Sequence, residues 1–165
     1  MAGQRAAVCG ATLLSLGLVL ALVVPERAAS RQPSRPAGVA QTGTDEPVPA
    51  FHTQVPPGPL PATMSPESFT DVVVQNAYRV AARVKKVLYQ QPCYCHCDRS
   101  QGHESLLDCF LSKHASVCGV CIREGFYAYE QSRKGKSGAE IREGIERGEW
   151  QQVDLSKYQT AVLAK

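Results

Sequence analysis

From Ser65 onward, apolar side chains return at helical spacing. Phe69, Val73, Ala77, Val80, Val84 and Val87 recur every three or four residues and define one helix face. Ser65 suits an N-cap and Pro66 a first helical position. Pro92 disfavours helix in the residue before it, so this helix is expected to end near Gln90–Gln91. Arg79, Arg83, Lys85 and Lys86 then read as its solvated face. A second, short helix is expected to open at Gly102-His103-Glu104-Ser105 and to carry Leu106, Leu107, Phe110 and Leu111. A third should run from about Cys118 to Lys134, with Ile122, Phe126 and Tyr129 inward and Gly135 as its stop. Ser137-Gly138-Ala139-Glu140 spells a capping box for a fourth helix, which carries Ile141 and Ile145 and ends at Gly148. No strand alternation and no internal repeat stand out. The fold class expected is mainly α: a small bundle of about four short helices over residues 65–150, with a Cys-rich knuckle at Pro92–Asp98 and a tail over 151–165.

The chain before Ser65 has another character. Ala6 to Val24 is an uncharged, apolar run preceded by Arg5 and followed by the small residues Ala28, Ala29 and Ser30. This is the pattern of a secretory signal peptide over residues 1–30. The run is also just long enough to span a bilayer, so an N-terminal membrane anchor is the alternative. Residues 31–64 carry eight prolines and no periodicity. They read as a disordered, proline-rich linker that cannot bury enough to offset its ordering entropy. His52 lies within it with no neighbouring donor and reads as solvated.

Composition changes this picture at one point. The chain has 165 residues and a net charge of +3, with no basic stripe interleaved with aromatics, so nucleic acid is not an expected partner. Of its 7 cysteines, Cys9 lies in the apolar run and the other six fall between Cys93 and Cys121. Export would expose those six to an oxidising space, where thiols must be paired, metal-bound or catalytically cycled. A domain of this size is marginal on its hydrophobic core alone, and covalent or metal staples are the usual supplement.

Three chemistries suit the cluster. Cys93, Cys95 and Cys97 alternate, and a Cys-x-Cys pair is badly disposed to close its own disulfide. They could pair with Cys109, Cys118 and Cys121, giving a disulfide-stapled structural or interaction module whose connectivity spacing cannot supply. They could share a soft metal, Cu(I) or Zn(II), because thiolate and imidazole donors select such ions. His103 then joins the six cysteines as a donor, and His96 and His114 are further candidates. On a continuous helix His114, Cys118 and Cys121 would share one face. Asp98, Glu104 and Asp108 are the only nearby carboxylates, which argues against Ca²⁺ and Mg²⁺. Thirdly, Cys118 and Cys121 near a helix N-terminus could act in thiol–disulfide exchange, since the helix dipole lowers thiol pKa there. No serine nucleophile, carboxylate pair or phosphate loop stands out.

Pro92-Cys93-Tyr94-Cys95-His96-Cys97, then Gly102-His103-Glu104-Ser105, Asp108-Cys109-Phe110 and Cys118-Gly119-Val120-Cys121, resemble the PCYCGC-motif (CYCXC) family of small exported bacterial proteins, whose role is not established. The resemblance runs from about Ala77 to Ile145. It implies that Cys93, Cys95, Cys97, His103, Cys109, Cys118 and Cys121 occupy motif positions. It also implies redox or soft-metal chemistry, since some members are thought to carry selenocysteine there. His96 stands where the family has glycine. Members often carry a lipid-anchoring cysteine after the apolar run, and this chain has none at that place. Soft-metal binding is the leading expectation, with an extracytoplasmic location. The partners expected are a metal ion or a redox or metallochaperone protein.

Overall fold

The computed structural model describes residues 46–163. The expected signal or anchor, Cys9 and the first part of the linker lie outside them. All regular structure among the described residues is helical: α1 (Val72–Arg83), α2 (Lys85–Leu88), α3 (Cys97–Gln101), α4 (Gly119–Arg133) and α5 (Gly138–Glu146), with five 3-10 turns before, between and after them.

The two C-terminal helices follow their local signals. Cys118 caps α4, and Gly135 follows it at φ 80°. Ser137 and Glu140 form the reciprocal capping box of α5, and Gly148 sits at φ 74°. The first helix departs from its pattern. Ser65-Pro66 opens only a 3-10 turn, Pro66–Ser68, and Phe69 is extended. The α-helix begins later because Asp71 accepts a hydrogen bond from the Val74 N–H at 2.9 Å and caps it. Val84 interrupts it again, which separates α2. The expected helix opening at Gly102–Ser105 is a loop followed by a 3-10 turn at Asp108–Phe110. Asp108 accepts from the Glu104 and Ser105 N–H groups there, and this turns the chain before helix can form.

Helix α4 is the axis of the core. It packs against α1, α2 and α5 and against the 3-10 turns at His114–Val117 and Glu149–Gln152. Ala77, Tyr78, Val80 and Ala81 of α1 and Phe126, Tyr127 and Ala128 of α4 are buried, as are Ile141 and Ile145 of α5. Tyr127 rather than Tyr129 faces inward. Leu106, Leu107 and Phe110 fill the remaining side from the loop. Phe110 lies so close to α4 that a Cβ at Gly125 would stand 2.8 Å from its ring, so glycine is required at that crossing.

Residues 46–64 are irregular, as a proline-rich segment should be, but they are not a free tether. Met64 N–H donates to the Phe110 carbonyl at 2.9 Å, and Lys85 Nζ donates to the carbonyls of Leu60 and Pro61. Arg142 lies over the Phe51 ring. His52 stacks on Tyr89 with ring centroids 3.9 Å apart and pairs with Glu104, so it is not a solvated histidine. The ordering entropy is lower than composition suggests, because the prolines already restrict the unfolded chain. The bonds to Leu60 and Pro61, and the pairing of Arg79 with Glu67, also take Lys85 and Arg79 out of the expected solvated face.

The side chain of Asn76 ties the tail after α5 to α1. Asn76 Nδ2 donates to the carbonyls of Tyr158 and Ala161 at 2.9 and 2.8 Å, and its Oδ1 accepts from the Leu163 N–H at 2.7 Å. Tyr158 stacks on Phe126 at 3.7 Å. Asn76→Ala should therefore cost about 1–3 kcal/mol in urea unfolding. Amide exchange at 158–163 should rise, whereas that of α5 should not.

Candidate metal centre

Four backbone segments deliver the cysteines. Gln91 N–H donates to the Leu88 carbonyl and Leu106 N–H to the Gln91 carbonyl, which brings the knuckle beside the loop carrying Cys109. His96, in the left-handed region at φ 55°, then reverses the chain so that Cys97 opens α3. The expected knuckle thus ends in a helical turn, which Gly102 closes at φ 67°. Cys121 projects from the first turn of α4.

The sulfurs converge. Cys93 Sγ lies 3.3 Å from Cys95 Sγ and 3.5 Å from Cys121 Sγ, and Cys95 and Cys121 are 3.6 Å apart. Cys97 and Cys109 are separated by 3.4 Å, with His103 Nδ1 at 3.1 Å from the first and 3.4 Å from the second. His114 Nε2 is 3.6 Å from Cys95, and its ring meets that of His103 edge-on at 5.0 Å. These separations exceed the roughly 2.05 Å of a disulfide. All six cysteines among the described residues are free. Three overlapping sets of four donors could each hold a metal ion: Cys93, Cys95, Cys97 and Cys109; Cys95, Cys109, His114 and Cys121; Cys97, His103, Cys109 and His114.

Two expected donors are placed elsewhere. Cys118 lies beside the cluster but in none of the three sets, and its Sγ accepts from the Cys121 N–H at 3.5 Å. His96 Nε2 turns to Glu46 at 3.4 Å, because the left-handed backbone aims the side chain away from the sulfurs. His114 does join, but not along a shared helix face. Residues 114–117 form a 3-10 turn and Cys118 is extended, so the continuous helix such a face requires is absent.

The thiols differ in acidity. Cys95 is held well below the usual thiol range by hydrogen bonds from Cys109, Cys118, Cys121 and Cys93. Cys97 is lowered too, by Cys109 first and then Cys93. Cys121 is pushed up, by its bonds to Cys109 and Cys118 and then by Cys95 and burial. Cys118 is also raised: Cys121 lowers it, but its bond to Cys95 and its partial burial prevail. The acidic thiols are therefore Cys95 and Cys97. Cys93 beside them is raised, as is the Cys-x-x-Cys pair at the helix start: Cys109 lowers Cys93, but its bonds to Cys121, Cys95 and Cys97 and its burial prevail. Of the two acidic thiols, Cys95 is partly buried and Cys97 buried.

The carboxylates are engaged outside the cluster. Asp98 accepts from the Ala50 N–H, Glu104 pairs with His52, and Asp108 caps the loop. One polar residue the sequence reading missed lies behind the knuckle. Glu124 is buried in α4, and its Oε1 accepts from the Tyr94 N–H at 2.9 Å. Desolvation pushes its carboxyl up to about 8, which favours the neutral form at physiological pH. Its position three residues after Cys121, on the same side of the helix, was the available signal.

Residues 60–152 match the family described as a protein of unknown function with PCYCGC motif. No curated protein and no solved structure matches the chain. The glycine in that motif's name falls at His96, the one non-glycine residue at positive φ among those described. A left-handed conformation costs an L-residue about 1–2 kcal/mol, partly offset here because glycine loses more entropy on folding. His96→Gly should thus raise urea-unfolding stability by about 0.5–1 kcal/mol, despite losing the Glu46 contact. Unchanged or lower stability would show that the histidine is unstrained.

Proposed function

The chain belongs to the PCYCGC-motif family, and on that footing we propose that it binds a soft metal ion, Cu(I) before Zn(II), on the extracytoplasmic side of a membrane. One observation carries the reading: five cysteine sulfurs and two histidine nitrogens meet within coordinating distance, with no sulfur bonded to another. Sulfur and imidazole donors favour soft and borderline ions. The neighbouring carboxylates, which would favour harder ions, are tied to other partners. The donors come from the knuckle, the loop that follows it and the start of α4, so a bound ion stabilises the fold that presents them. The signal-like N-terminus supports export, and a metal-delivering protein is the partner that this chemistry suits.

The test uses the full chain, reduced and handled without oxygen in a detergent micelle. Given Cu(I) as its acetonitrile complex, it should retain the metal through dialysis against a Cu(I) chelator. The count of reactive thiols should fall accordingly. Cys95→Ser should keep the helical circular dichroism and weaken binding about tenfold or more. Protein that retains neither Cu(I) nor Zn(II), with every thiol still reactive, would overturn the reading. So would three disulfides that survive mild reduction.

A further inference from the structure

The donor atoms exceed what one ion can use. A tetrahedral ion takes four ligands, and seven donors are gathered here. They also divide by distance. Cys93, Cys95 and Cys121 form a triangle of sulfurs with edges of 3.3, 3.5 and 3.6 Å. Cys97, Cys109 and His103 form a second triangle with edges of 3.4, 3.1 and 3.4 Å. An ion at the centre of either would stand about 2 Å from each corner, and a small expansion reaches the ~2.3 Å of a metal–thiolate bond. The triangles adjoin. Cys109 Sγ lies within 4.8 Å of Cys93, Cys95 and Cys121, and His114 within 4.8 Å of donors from both triangles.

We infer that the cluster is binuclear: one Cu(I) sits among Cys93, Cys95 and Cys121, a second among Cys97, Cys109 and His103, and Cys109 is placed to bridge them. This deepens the metal-binding reading and rests on it. A single ion in either triangle would leave donors of the other, two of them buried cysteines, without a ligand role. Three donors suffice for a soft monovalent ion, and thiolate sulfur has lone pairs left for bridging. Loading involves no change of oxidation state. Each cysteine binds as thiolate, and any still protonated exchanges its S–H bond for S–Cu and releases that proton to solvent. Cys118 lies outside both triangles.

The experiment is a stoichiometric titration of the reduced full chain, carrying Cys9→Ser so that only clustered thiols count, with the Cu(I)–acetonitrile complex alone. Native mass spectrometry reads the bound copper. Two ions per chain are expected. His103→Ala, at a partly exposed residue, should leave one tightly held ion, and Cys121→Ser should also leave one. Cys118→Ser should still bind two. Circular dichroism identifies any variant that has lost its fold, and the His103→Ala and Cys118→Ser results then decide. Saturation of the unsubstituted cluster at one ion overturns the binuclear assignment while leaving metal binding intact. Two ions lost together in His103→Ala overturn the division into two triangles. No bound copper at all defeats the underlying reading instead.

Discussion

Gathering five sulfurs, four of them buried, into two adjoining contact groups is the constraint around which the domain is arranged. Cys93, Cys97, Cys109 and Cys121 are almost wholly inaccessible to solvent, and Cys95 covers them from the surface. As neutral thiols they pack like small hydrophobic side chains. As thiolates they would repel one another at these separations unless a cation lay among them. The fold therefore holds a group of atoms whose charge state depends on what is bound. The surrounding elements meet there: the knuckle, the turn before Phe110 and the start of α4.

Helix α4 connects that cluster to the rest of the core. Its first turn supplies Cys121, and its next supplies Glu124, which fixes the knuckle backbone through Tyr94. Further along, Phe126 and Tyr127 bind it to the tail and to Glu149. Displacing the knuckle would uncover both a buried carboxyl and the sulfurs. If the cluster holds a metal as proposed, its occupancy and helix packing are coupled through one short helical segment. The segment before the first helix, held by Lys85, Arg142 and the His52–Tyr89 stack, reaches the knuckle and α3 through Glu46 and Ala50.

Much of this was legible beforehand where the determining interactions are local. The capping box at Ser137 and the left-handed glycines at 135 and 148 set the ends of α4 and α5, because caps act over three or four residues. The cysteine cluster was visible as a local concentration. The failures have local causes as well. Ser65-Pro66 and Asp71 both offer a helix start, and the propensity of the first was overridden once Asp71 capped the later turn. A face shared by His114, Cys118 and Cys121 required continuous helix, and nothing in their spacing reveals that Cys118 is extended.

By itself the sequence determined the helical class, the last two helices and the supply of soft donors within 29 residues. The tertiary structure alone decided which donors meet. It set Cys121 against Cys93 and Cys95, paired Cys97 with Cys109 and His103, turned His96 toward Glu46 and left Cys118 at the margin. The physical reason is range. Helices are specified by bonds between residues three or four apart, whereas a shared coordination site is specified by packing between elements that the chain keeps far apart.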